Sequence, residues 1–109
     1  MAKSSEKFRL KWNNFQENIT SFYHDLRKDQ DFSDVTLICE EKQQIKAHKI
    51  ILNAGSTFFS DVLKKNKHPH PRIYMKGIKA KDLVAILDFI YHGKVRIYQE
   101  DLDGFLGVR

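Results

Sequence analysis

Cysteine, proline and glycine are all scarce in this chain, and each scarcity narrows what it can be. A single cysteine, Cys39, among 109 residues excludes an internal disulfide framework and any zinc site built from several cysteines. Such usage fits a reducing intracellular compartment. Two prolines and five glycines leave little room for low-complexity linkers. No apolar run approaches the roughly 20 residues that a membrane span needs. The opening Met1-Ala2-Lys3-Ser4-Ser5-Glu6-Lys7 lacks the apolar core of a signal peptide. Catalytic signatures are missing too: there is no Gly-x-Ser-x-Gly and no phosphate-cradling glycine loop. Glu40 and Glu41 are adjacent in a polar turn, where they face solvent. His68 and His70 stand two apart in a proline-rich loop, and no His-Glu-x-x-His spacing occurs. The residues therefore argue against an enzyme, and no metal or other cofactor is expected.

What is present is a core. The chain is 41% hydrophobic, with eight Phe, four Tyr and one Trp spread along it. Disordered chains are poor in such residues, so a single folded domain is expected. Residues 1–7 are expected to be disordered and 8–109 to form the domain. The net charge of +5 is unevenly placed. Residues 1–63 balance nine basic against nine acidic residues, whereas 64–81 carry seven basic residues and no acidic one. Within that cluster Lys64, Lys65, Lys67 and Arg72 form a candidate patch for an anionic partner, against the simpler reading of a solvated loop.

Phe8, Leu10 and Trp12 alternate with Arg9 and Lys11, which predicts a short strand. It precedes any hairpin partner, so it must pair with a distant edge or with another chain. Asn13 and Asn14 are good N-caps for a helix over 14–28, where Phe15, Ile19, Phe22, Tyr23 and Leu26 fall on one face. A hairpin is expected over 34–48, followed by a short buried helix from Ile50-Ile51-Leu52. Gly55-Ser56 breaks that helix, and Ser56 or Thr57 caps the next, which carries Phe58, Phe59, Val62 and Leu63. Arg72-Ile73-Tyr74-Met75 predicts a strand. Ala80 opens the clearest helix, with Gly93 at its C-cap. A strand over 94–98 and a helix start over 99–106 complete an α+β order.

Asp34-Val35-Thr36-Leu37, Lys46-Ala47-His48-Lys49-Ile50-Ile51-Leu52, Ser56-Thr57-Phe58-Phe59 and Leu87-Asp88-Phe89-Ile90-Tyr91-His92-Gly93-Lys94-Val95, in that order, resemble the BTB/POZ domain. The opening Phe8-Arg9-Leu10-Lys11-Trp12-Asn13-Asn14-Phe15 is similar to the tramtrack/bric-à-brac group, found mainly in insect nuclear proteins. The resemblance implies a helical cluster flanked by short β-sheets, and protein–protein association as the function. It implies homodimers that assemble further, within a nuclear transcription regulator or chromatin-associated protein. The implied partners are a second copy, other BTB proteins and corepressors, with no membrane. DNA is read in such proteins by C-terminal modules, so direct DNA binding is not expected of this domain. The alternatives are an adaptor for a cullin ubiquitin ligase and direct nucleic-acid binding through the 64–81 cluster. The family continues with further helix past the position of Val108, so the last helix is expected to be cut short.

The same resemblance assigns residues. Phe8, Leu10 and Trp12 would form a strand exchanged between subunits, rather than one paired within its own chain. Phe15, Ile19, Phe22 and Tyr23 would line a homodimer interface, against the alternative of ordinary core. Asp34 and Lys49 match positions that form a charged pocket at that interface, where many relatives carry Arg in place of Lys49; otherwise Asp34 caps a turn. His48 matches a structural position and is expected to be hydrogen-bonded. Cys39 is expected to be buried and inert.

Overall fold

The computed structural model describes residues 7–93. Strand β1, Val35–Ile38, runs through the middle of a three-stranded sheet of order β2-β1-β3. It pairs antiparallel with β2, Gln44–Ala47, and parallel with β3, Arg72–Tyr74. Its β-branched and apolar residues suit a central position. Val35, Leu37 and the following Cys39 are fully buried in the core. Thr36 points the other way and is also buried, because its hydroxyl meets the Nε2 of His70 at 2.8 Å.

Four helices supply the rest: α1 Phe15–Asp29, α2 Lys49–Gly55, α3 Thr57–Lys65 and α4 Ala80–His92. Helix α4 contributes Leu83, Ile86, Leu87 and Tyr91 to the core, where Leu52 and Phe59 join them. The α2–α3 break lies at Ser56. Its backbone is extended (φ −149°, ψ 129°), and its Oγ accepts the Phe59 N–H at 3.3 Å. Gly55 belongs to α2 and is there for packing: a Cβ would lie 2.7 Å from Cγ2 of Ile90. Gly93 closes α4 in the left-handed region (φ 78°), its N–H donating to the Phe89 carbonyl at 2.8 Å.

Several expectations need correction. Among the described residues, 8–12 form no strand and no strand pairs with them. Asn14 sits at the N-cap of α1 but in the left-handed region, and its side chain makes no cap hydrogen bond. Helix α2 starts at Lys49, which turns Ile50 outward to 78% exposure, although it stands in an apolar run. Glu41 is exposed as expected, yet it reaches across the chain: its Oε1 accepts the Ala80 N–H at 2.8 Å and caps α4, which has no cap of its own. That bond holds the Glu41 carboxyl below the usual carboxylate range. The strand expected over 94–98 and the helix start over 99–106 lie outside the described residues.

Candidate interaction surface

The start of α2 is held from three directions. Asp34 Oδ1 accepts the backbone N–H of Lys49 at 2.8 Å, satisfying one of the donors that a helix leaves unpaired. The backbone N–H of His48 donates to the hydroxyl of Tyr91 at 2.9 Å. The His48 ring lies between that hydroxyl, 2.7 Å from Nδ1, and the carbonyl of Asp31, next to Nε2. A carbonyl only accepts, so Nε2 carries the proton and donates to it, and Nδ1 accepts a hydrogen bond from the Tyr91 hydroxyl. Every polar atom of this cluster is then paired. Burial pushes the Tyr91 phenol up to about 12.

Asp34 and Lys49 are thus neighbours, but the backbone amide joins them. The Lys49 ammonium turns away and donates to the carbonyls of His68 and Pro69 at 2.9 and 3.0 Å. In the single chain the opposite charges make no direct pair, and Asp34 serves as a helix cap.

Helix α1 packs on α4 by its C-terminal half only. Leu26 is its one buried residue, and Arg27 Nη1 meets Asp88 Oδ1 at 2.7 Å while its guanidinium lies 5.6 Å from the centre of the Tyr91 ring. The rings of His24 and His92 stand 5.2 Å apart at the same junction. Burial holds the His92 imidazole below its ordinary value, with Arg27 acting in the same direction.

The other half of α1 is uncovered. The predicted stripe divides: Tyr23 packs against the core and Ile19 is half-buried, while Phe15 and Phe22 are each 51% exposed. Trp12 meets Phe15 edge-to-face at 5.0 Å at the start of the helix, and Phe8 and Leu10 are almost bare. Further large apolar side chains are exposed, among them Ile50, Phe32, Phe58 and Val84. Ile50 opens α2, and Phe32 stands in the left-handed region (φ 61°) at 84% exposure. That conformation costs a bulky residue about 1–2 kcal/mol. It is held because Asp31 and Asp34, on either side of it, are both bonded to the start of α2. Sequence carries no sign of this turn.

The basic residues Lys64, Lys65, Lys67 and Arg72 are all exposed. Lys64 and Lys65 occupy the last turn of α3, where cations complement the helix dipole. Between them and Arg72 the loop is ordered by its own side chains. His68 N–H donates to Asn66 Oδ1 at 3.0 Å, and His70 N–H to His68 Nδ1 at 2.9 Å.

A well-bonded core beside an uncovered aromatic face is the make-up of a protein-interaction module, and among the described residues no cluster of His, Cys, Asp or Glu is placed to hold a metal. Residues 23–108 match the BTB/POZ domain family, and the chain belongs to it; it is a non-enzymatic protein-interaction module. It is 44% identical over 102 residues to the Broad-complex core protein of Drosophila melanogaster, and 39% identical over 108 residues to tramtrack, alpha isoform, of the same organism. These matches cover 94% and 99% of this chain but only 14% and 13% of those proteins. The fold is similar to that of the BTB domain of zebrafish PATZ1, with a TM-score of 0.72 and 27% identity over 90% of this chain and 80% of that one.

Proposed function

We propose that this domain joins copies of a nuclear transcription regulator into homodimers and larger assemblies. The observation that carries the reading is the uncovered apolar surface formed by Phe8, Leu10 and Trp12 with Phe15 and Phe22 of α1. Contiguous apolar surface of this kind marks a contact with another protein. A second copy that adds the alternating segment 8–12 to its own sheet edge would satisfy the backbone and the side chains together. Phe32 and Ile50, beside the Asp34 cap, extend the same purpose to the start of α2. Covering them would bury Asp34 and Lys49, and removal of one such charge costs roughly 3–5 kcal/mol once the other has no partner. An obligate interface of this type buries on the order of 2,000 Å² or more.

Assembly would act on DNA indirectly, by raising the effective concentration of DNA-reading modules elsewhere in the full protein. The membership of the tramtrack-like relatives supports the nuclear setting. Light scattering on a size-exclusion column tests the reading with Phe15→Asp and Phe22→Asp. The wild-type mass is expected to be at least twice 12.9 kDa, and each variant is expected to shift toward 12.9 kDa. Unchanged assembly in both variants would remove α1 from the interface.

A further inference from the structure

We infer that the outer face of the three-stranded sheet is a second docking surface, fitted to an extended acidic protein segment that carries one large apolar side chain. Residues directly opposite in a sheet point to the same side. The pairing therefore lays out two rows on the face turned away from the core. One row is Lys46, Thr36 and Arg72; the other is Gln44, Ile38 and Tyr74. Lys46, Arg72 and Tyr74 are exposed, and Ile38 is half-buried between its neighbours. Two cations thus stand about 10 Å apart across two strand spacings, beside a platform of Tyr74 and Ile38.

One end of the face is overlain by the 66–71 loop, through the bond of Thr36 to His70. Lys49 holds this loop from behind by two carbonyls, and the bonds among Asn66, His68 and His70 fix its front. The groove along it is lined by Asn66, His68, His70, Pro71 and Arg72, with no acidic residue among them. Lys64, Lys65 and Lys67 lead up to it, within a stretch of seven basic and no acidic residues. A surface so charged and so fixed before binding favours carboxylates at little ordering cost. The apolar row supplies contact for an uncharged anchor between them. Nucleic acid is the poorer fit. The face presents no helix to a DNA groove, and the single ring of Tyr74 is no stacking platform for successive bases.

Fluorescence anisotropy on the full chain tests the inference. The probe is a fluorescein-labelled peptide of alternating Asp and Glu around a central Trp. The comparison ligands are the same peptide with Lys for the acids, and a single-stranded oligonucleotide. The acidic peptide is expected to saturate and to weaken as salt rises. Arg72→Ala and Tyr74→Ala are each expected to weaken it about fivefold or more. Lys28→Ala removes the same charge from exposed α1 and is expected to change nothing. Both test side chains are exposed, so melting temperatures should hold; Lys46→Glu on a separate strand gives an independent loss if either variant misfolds. The proposal is overturned if the peptide fails to saturate, if Lys28→Ala weakens it as much as Arg72→Ala, if Tyr74→Ala leaves it unchanged, or if the oligonucleotide binds as tightly.

Discussion

Aromatic residues are placed in opposite ways at the two ends of the described chain. Phe59 and Tyr91, in the α2–α4 region, are 2% and 3% exposed and meet apolar or hydrogen-bonding partners on every side. Phe8, Trp12, Phe15 and Phe22, at the N-terminal end, are each at least half exposed, with Trp12 and Phe15 edge-to-face. The first region has its own reasons to be folded. The second is apolar without being core, and under the proposed assembly its side chains would gain burial from a second copy. Composition does not separate the two; the separation comes from the packing of α1, whose contacts with the core and α4 run through Tyr23, His24, Leu26 and Arg27 while Phe15 and Phe22 stay half exposed.

The comparison can be broken first in the core. Leu87→Ala empties a fully buried site and should cost about 2–5 kcal/mol in denaturant unfolding, whatever the protein concentration. Leu10→Ala, at a nearly bare site, should leave the unfolding of an isolated chain unchanged and alter only its assembly. Next in size is Tyr91→Phe. It leaves the buried His48 amide and Nδ1 without their shared hydroxyl, for about 1–3 kcal/mol of destabilisation.

Asp34 sits where the regions meet, and two substitutions sharpen its role. Asp34→Ala removes the Lys49 cap and the charge together; the lost cap alone should cost about 0.5–2 kcal/mol by thermal unfolding, and the lost charge adds to it under the assembly reading. Asp34→Asn retains an acceptor for that amide but drops the charge. Under the assembly reading the Asn variant is expected to lose dimer or folding; a soluble dimer of unchanged melting temperature would leave Asp34 as a cap alone.

The smallest effect is at the junction of α1 and α4. Burial holds His92 below its ordinary value, so the folded state binds fewer protons there than the unfolded state. The stability this gives is present above pH 6.5 and is lost as pH falls through the lowered folded value. Charged His24 would face charged His92 at 5.2 Å, next to Arg27. A melting series from neutral pH downward should show a smaller acid loss in His92→Gln than in wild type.

Much of the fold was legible because its signals are local. The β-branched run at Val35, the Ser56 cap and the Gly93 terminator each fix an element by the chemistry of a few adjacent residues. What was not legible depends on partners distant in sequence. The Glu41 cap on α4 spans 39 residues, and nothing near Glu41 announces it. In the single chain the Lys49 ammonium is held by loop carbonyls brought in from 19 and 20 residues away, contacts that its charge alone does not announce. Ile50 read as core because it stands between apolar residues, yet helical rotation from Lys49 turns it out. The alternation at 8–12 is a strand pattern that finds no ladder among the described residues.

The central claim is that the N-terminal apolar region is completed by another copy. Light scattering on a size-exclusion column, for the chain and for one lacking residues 1–12, tests it most directly. The expected result is a mass above twice 12.9 kDa that falls to the dimer when residues 1–12 are removed. A monomer mass for both chains, 12.9 kDa for the full one, would contradict it.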